Sequence, residues 1–316
     1  MNFIKNKPFV IFLMGPTGCG KSRLAIYMRK FLPIELISVD SALIYRGMDI
    51  GTDKPSSSDL SNHPHRLLSI KDPIESYSAA EFQKDALKAI DDVIKLGKIP
   101  CLVGGTMFYY HTLLHGLSIL PPSNIKVREY LLQTSNKKNF LHKRLELIDP
   151  VSASRIHRND FQRLLRALEV FYISGKNLTE LKEKNNYELS YNIFQFAIMP
   201  PNKEWLNNKI ELRVKKMLIL GFQKEVEILF LRGDLHINLP SIRCIGYRQI
   251  WEYLEYKNSY AEMFKKIIYA TRKLAKHQLT WLKKWNNLNK ILYDSNFNIL
   301  VQKILDVLQK NNKFST

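Results

Sequence analysis

Three cysteines in 316 residues, Cys19, Cys101 and Cys244, are too few and too widely spaced for a disulfide framework or a thiolate metal site. The eight histidines show no metal-ligand spacing either, and His63 and His65, just before a strand-like "RLLSI", read as structural. No apolar run approaches the roughly 18 residues of a membrane span. The opening "MNFIKNKPFVIFLMG" has a leader-like texture, but its apolar part runs straight into a glycine loop and no cleavage-type sequence follows. A cytoplasmic protein is expected. Internal repeats, low-complexity tracts and a clear oligomerisation seam are also missing, so a monomer is expected. Acidic residues are scarce, 29 against 48 Lys and Arg, for a net charge of +19. The shortage is uneven. Residues 1–110 hold 14 basic and 11 acidic residues, a balance of +3, whereas residues 111–316 hold 34 and 18, a balance of +16. A large polyanion is the natural partner of such a surface.

What is present reads as a globular α/β chain, 45% hydrophobic. "PFVIFLM" (8–14), "IELISVD" (34–40) and "IPCLVGGT" (99–106) are short apolar strands separated by helical patterns. One of these patterns, "SAAEFQKDALKAIDDVIKLGK", opens with a capping box at Ser78 and Glu81 and stops at Gly97. That alternation predicts a parallel sheet with helices on its faces. From about 121 to 190 the patterns are helical. "NIFQFAIM" (192–199) then returns to strand, a helix or two breaks near Gly221, "TRKLAKHQLTWLKKW" (271–285) is helical, and "KILYD" (290–294) is a late strand. The expected architecture is a core of 1–120 and 191–316 interrupted by a helical insertion at 121–190.

"GPTGCGKS", Gly15 to Ser22, matches G-x-x-x-x-G-K-[ST] in full, after a strand and before a helix. This is a P-loop, and it makes the sheet P-loop NTPase-like. In the run Gly15, Pro16, Thr17, Gly18, Cys19 and Gly20 the backbone N–H groups, which all but Pro16 carry, and the helix N-terminus suit a phosphate. Lys21 adds a point charge and Ser22 a hydroxyl for Mg²⁺. The motif specifies phosphate or pyrophosphate and leaves open whether the nucleotide ATP is the ligand. Asp40 and Thr106 both lie just past strand ends, where ligands of open α/β sheets sit, so they should converge with the loop. Asp40 alone is compatible with a magnesium-holding carboxylate or with a base. Cys19, at a helix N-terminus, is a candidate low-pKa thiol.

Taken together, "GPTGCGKS", "LISVDSALIYRGMDIGTDKP", "LVGGTMFY", "RLLRALEVFYISGK", "LPSIRCIGYRQ" and "LAKHQLTWLKKW" resemble the bacterial tRNA dimethylallyltransferases, in that family's order, from about residue 8 to about 295. The resemblance implies transfer of a dimethylallyl group from its diphosphate to N6 of adenosine 37 in tRNA, with Mg²⁺. It implies that Asp40 is the general base, that Thr106 and Lys21 lie near the reacting atoms, and that Arg213, in "ELRVKKM", meets the diphosphate. It further implies tRNA contacts from Asp40, Ser41, Ala42, Leu43 and Thr106; from Arg128; and from Gln162, Arg163, Leu164, Leu165 and Arg166. The same holds for Arg243, Cys244, Ile245, Gly246, Tyr247 and Arg248, and for Lys276, His277, Gln278, Leu279, Thr280, Trp281, Leu282 and Lys283. No C-terminal Cys/His zinc module of the kind eukaryotic relatives carry is visible, which fits the compact bacterial form.

The rival readings are a P-loop kinase using ATP, an NTP-switched RNA-binding protein, and a prenyltransferase acting on free adenine nucleotides. The excess of +16 in the second half speaks against the kinase, the Asp40–Thr106 pair is more than a switched RNA binder needs, and the helical insertion and basic helices exceed what a mononucleotide requires.

Overall fold

The computed structural model describes residues 7–118, 120–134, 140–182, 187 and 189–310. They form two compact units, one of residues 1–114 and 189–316, the other of residues 115–188. The sequence reading set the insertion at 121–190; the compact unit begins at His115 and ends at Glu188.

The first unit is built on six parallel strands: β1 (Phe9–Met14), β2 (Ile34–Val39), β3 (His65–Arg66), β4 (Ile99–Gly104), β5 (Asn192–Met199) and β6 (Asn289–Leu292). Their order is β3-β2-β4-β1-β5-β6. β1 sits between β4, with Phe12 opposite Leu102, and β5, with Phe12 opposite Gln195. The central strands are buried on both sides, which is why they read as continuous apolar runs rather than alternating ones. Alternate residues nonetheless serve separate cores. Ile11, Leu13, Leu36, Cys101, Phe196 and Ile198 pack with Leu24 and Met28 of the helix Lys21–Met28 and with Leu300 and Ile304 of the helix Phe297–Lys310. Val10, Phe12, Ile37, Val39, Leu102 and Ala197 pack on the other face against Phe82, Ala86, Ile90 and Val93 of the helix Ala79–Lys95. That helix carries the expected capping box, Ser78 with Glu81, and ends before Gly97 at φ 70°.

A third cluster within this unit is helical. Phe222 and Val226 of the helix Phe222–Phe230, Tyr247 and Trp251 of the helix Tyr247–Leu254, and Met263 and Ile267 of the helix Tyr260–Lys283 bury one another. The break near Gly221 is real: the helix Lys203–Ile219 stops, Gly221 takes φ 99°, and the next helix starts at Phe222.

The second unit is helical, as the sequence indicates, with a core of Leu131, Leu141, Leu145, Leu164 and Leu168. Glu169, fully buried in it, is the hub of a cation pair. Its carboxylate accepts from Arg128 Nε at 2.8 Å and Nη2 at 3.0 Å, and from Arg166 Nη1 at 2.6 Å. Despite burial, which acts the other way, these guanidiniums and the Asn124 amide hold the Glu169 carboxyl below the ordinary range. Arg128 and Arg166 were expected on RNA. In the structure both pair with Glu169, because a carboxylate without solvent demands compensation, and both side chains stay partly exposed, 42% for Arg128 and 30% for Arg166. Leu164, also expected there, is 2% exposed and belongs to the core. Gln162 and Arg163 remain exposed, and Leu165 is half-buried against the cluster.

Among the described residues, no helix is long and apolar enough to cross a membrane.

Candidate active site

At the carboxyl ends of β1, β2 and β4 lies a cavity of about 560 Å³. Its lining brings together Lys21, Ser22, Asp40, Thr106 and Arg213, as their positions past strand ends predict. Thr52 and Asp53 of the loop after β2, and an apolar wall of Val214, Met217, Phe222, Ile267 and Leu274, complete it.

The phosphate loop follows β1 directly. Gly15, at φ 151°, could not carry a side chain, because a Cβ there would stand 2.7 Å from the Ile198 carbonyl oxygen of β5. The loop is fixed from outside by Gln278 of the helix Tyr260–Lys283. Its Oε1 accepts from the Thr17 amide at 2.9 Å, and its Nε2 donates to the Gly105 carbonyl at 2.8 Å. One buried side chain thus ties the loop after β1 to the loop after β4. Lys21 Nζ donates to the Pro16 carbonyl at 2.8 Å. Burial, with repulsion from Arg213 as a further cause, lowers its ammonium to about 8, against the pull of Cys19, Asp40 and Asp53. Arg213, one face of the helix Lys203–Ile219, donates from Nη1 to Thr17 Oγ1 at 2.6 Å and from Nη2 to the Thr52 carbonyl at 3.3 Å. Its Nε lies 3.4 Å from the Asp53 carboxylate.

Asp40 closes β2. Its Oδ1 accepts from the Ala42 amide at 2.8 Å and the Leu43 amide at 3.3 Å, a turn that fixes the carboxylate. Among the described residues Oδ2 has no hydrogen-bond donor, so one oxygen of a positioned carboxylate remains open to a substrate proton. Thr106 Oγ1 accepts from the Ser41 amide at 3.2 Å, and the Thr106 amide donates to the Val39 carbonyl at 3.3 Å. The ends of β2 and β4 are therefore stitched together, and the Thr106 hydroxyl keeps its proton to donate.

The helix Tyr260–Lys283 divides the expected "KHQLTWLK" contacts by its own period. Ala275, Gln278 and Leu282 point inward and are buried; Leu274, His277, Gln278 and Trp281 line the cavity; Lys276, Thr280 and Lys283 are exposed. Leu279 is half-buried against the sheet core. Gln278 and Leu282 are both held in the framework, Gln278 at the edge of the cavity and Leu282 in the packing of the sheet. Trp281, 38% exposed, stands edge-on to His111 with ring centres 5.8 Å apart. In "RCIGYR", Arg243, Cys244, Ile245, Gly246 and Tyr247 line the cavity. Arg243 and Arg248 are exposed. Tyr247 has no exposed surface and donates its hydroxyl to Glu225, so it cannot serve as a platform for a base. Burial likewise overturns the reactive-thiol expectation: it pushes Cys19 up to about 11, the opposing pull of Lys21 notwithstanding.

Sequence reasoning missed Thr52, Asp53 and Glu225. "GTDKP" marks the loop of the first two; nothing in "FQKEVEI" singles out Glu225. The lysine of that loop is also structural. Lys54, its side chain 3% exposed, donates to the Tyr45 carbonyl at 2.8 Å and to Ser69 Oγ at 2.9 Å, and pairs with Asp49.

Among the described residues, no group of three or more His, Cys, Asp or Glu is arranged to hold a metal. The cavity does offer the Ser22 hydroxyl beside a phosphate site. That set fits Mg²⁺, which keeps several waters and takes phosphate oxygens rather than a protein cage.

Comparison with known proteins agrees with this geometry. A family model described as IPP transferase matches residues 43–285. The chain is 80% identical over 311 residues to the tRNA dimethylallyltransferase of Buchnera aphidicola subsp. Acyrthosiphon pisum (strain APS), covering 98% of this chain and 99% of that one. It is 56% identical over 308 residues to the tRNA dimethylallyltransferase of Buchnera aphidicola subsp. Baizongia pistaciae (strain Bp), covering 96% and 95%. The full-length tRNA isopentenylpyrophosphate transferase from Bacillus halodurans has the same fold, with a TM-score of 0.72 and 31% identity over 96% of each chain. A eukaryotic dimethylallyltransferase acting on tRNA gives a TM-score of 0.82 over 97% of this chain and 80% of that one; at 24% identity the likeness is one of fold.

Proposed function

The chain belongs to the IPP transferase family, and from that premise we propose that it transfers the dimethylallyl group of dimethylallyl diphosphate to N6 of adenosine 37 in tRNA, releasing pyrophosphate. The observation that carries this reading is the meeting, in one cavity, of a cationic phosphate loop, a positioned carboxylate and an apolar wall.

Each part has a task. The loop amides, Lys21 and Arg213 bind the diphosphate and, as the C1–O bond breaks, stabilise the charge that leaves with it. Val214, Met217, Phe222, Ile267 and Leu274 hold the five-carbon chain and exclude water from C1. The N6 lone pair of adenine, delocalised into the ring, is a weak nucleophile. As it bonds to C1 its protons become acidic, and Asp40 takes one through Oδ2. Thr106 holds the loop that carries Asp40 and offers its hydroxyl proton to substrate. Ser22 would hold Mg²⁺ beside the diphosphate, and the ion would add to the neutralisation of the leaving group.

The adenine must leave its stack to enter, at a cost of about a few kcal/mol. Exposed Arg243, Arg248, Lys276 and Lys283, with His277 and the half-exposed Trp281, are the groups that offset it by phosphate contact and stacking. In the insertion unit, Gln162 and Arg163 are the exposed candidates, while Arg128 and Arg166 are tied to Glu169.

The test is a single incubation of the protein with Mg²⁺, dimethylallyl diphosphate and an unmodified anticodon stem-loop, followed by nucleoside mass spectrometry, with ATP in a parallel tube. N6-dimethylallyl adenosine with released pyrophosphate and inert ATP is expected. ATP turnover with no prenylated nucleoside on several competent RNAs overturns the reading.

A further inference from the structure

The loop that follows β2 has no helix or strand of its own between Met48 and Pro55, yet two of its groups orient Arg213. What fixes the loop is one carboxylate. Glu225, in the first turn of the helix Phe222–Phe230, accepts from the Asp49 amide at 2.9 Å and the Ile50 amide at 2.7 Å through Oε2. Its Oε1 accepts from the Gly51 amide at 3.1 Å and from the Tyr247 hydroxyl at 2.5 Å. Four donors converge on two oxygens. Gly51 is pressed so closely onto the same helix that a Cβ would stand 2.0 Å from the Phe222 ring. The next two residues inherit the constraint. Thr52 Oγ1 donates to the Met48 carbonyl at 2.7 Å, and Asp53 takes φ 59°. The Thr52 carbonyl and the Asp53 carboxylate then meet Arg213, whose other nitrogen reaches Thr17 of the phosphate loop.

We infer that Glu225 is a positioning residue for prenyl-diphosphate binding: by clamping the amides of Asp49, Ile50 and Gly51 it sets the loop that aims Arg213 at the diphosphate. The inference rests on the reading of this cavity as a diphosphate site. A carboxylate is the group this job needs, because it accepts through both oxygens and donates nothing. In Glu225→Gln an amide NH₂ would face backbone N–H groups, and the loop would lose half its anchor. The sign of the effect separates positioning from field. Removing a negative charge near an anion site favours the anion; misaiming Arg213 opposes it.

Pyrophosphate binding in the presence of Mg²⁺, measured by calorimetry on the full chain, tests this without requiring prenyl transfer, so it stands apart from the test of the reaction. Glu225→Gln is expected to weaken pyrophosphate about tenfold, the scale of a lost charge-assisted contact. In the Arg213→Ala background the same change should cost under about twofold, since coupled residues are not additive. Glu225→Asp, which keeps the charge but is too short to span the three amides, should behave like Glu225→Gln, and it decides the matter if the glutamine variant does not fold. Unchanged or tighter pyrophosphate binding in a folded Glu225 variant overturns the inference. So does an equal loss with and without Arg213.

Discussion

Lys21 is the group in the cavity whose charge is least secure. Burial brings its ammonium down to about 8, so the free protein sheds that proton as the pH rises from 7 to 9. A bound pyrophosphate restores it, and binding at pH 9 should therefore take up a proton. We expect calorimetric enthalpies at pH 9 that vary with the ionisation heat of the buffer, with a net proton uptake that is smaller in Lys21→Met by the Lys21 contribution. The linked stability term has the opposite sense. Between about 8 and the ordinary 10.5 the unfolded chain binds the proton and the folded chain does not, so this group's contribution to stability improves as pH rises through that window. Asp40 is a different case, because its role depends on geometry. Asp40→Ala should lower single-turnover prenylation by about 10²–10⁴, the range of a lost general base, while RNA affinity stays within a few fold. Full turnover on saturating RNA with binding abolished would reverse the assignment.

The helix Tyr260–Lys283 shows how far an element can be read before its neighbours are known. Its basic character is legible in "TRKLAKHQLTWLKKW" (271–285), although the helix begins at Tyr260, well before that stretch; the capping box opening the helix Ala79–Lys95 and the break at Gly221 are legible in their own segments. Which stripe faces inward is not, since Gln278 and Lys276 are both polar in the sequence and only packing tells them apart. Gln278 is 7% exposed and satisfies one amide and one carbonyl on two different loops. Gln278→Ala should lower stability by about 1–3 kcal/mol, the cost of leaving buried polar partners unmet. Chemical denaturation reads this directly, and an unchanged midpoint would mean that water replaces the side chain. Tyr247 and Leu282 teach the same lesson from the apolar side. A short motif fixes which residues are near one another, and burial then decides which of them a ligand can touch. The phosphate loop, Asp40 and Thr106 were legible because a strand end delivers its next residue to a known edge of the sheet. Glu225 was not, because it acts through a loop 174 to 176 residues away in sequence.

At the scale of the molecule, charge is the property with the longest reach. The balance of +16 carried by residues 111–316 predicts RNA affinity that falls steeply with salt. Arg243→Ala should flatten the plot of log K against log salt by about 0.7–0.9, one phosphate contact, while Arg128→Ala, which removes a partner of buried Glu169, should leave the slope unchanged. An equal slope for wild type and Arg243→Ala would take that residue off the backbone. The strand order carries a consequence of another kind. β1 lies at the centre of the sheet, yet one of its two neighbours, β5, begins at Asn192, opposite Phe9. Between them come β2, β3, β4 and the whole unit at 115–188. On a ribosome moving at about 5–20 residues per second, the first strand made waits on the order of ten seconds or more for that partner to be synthesised. Longer still, the phosphate loop waits for Gln278. The nascent chain thus holds an unpaired apolar edge beside an unfinished loop for that interval.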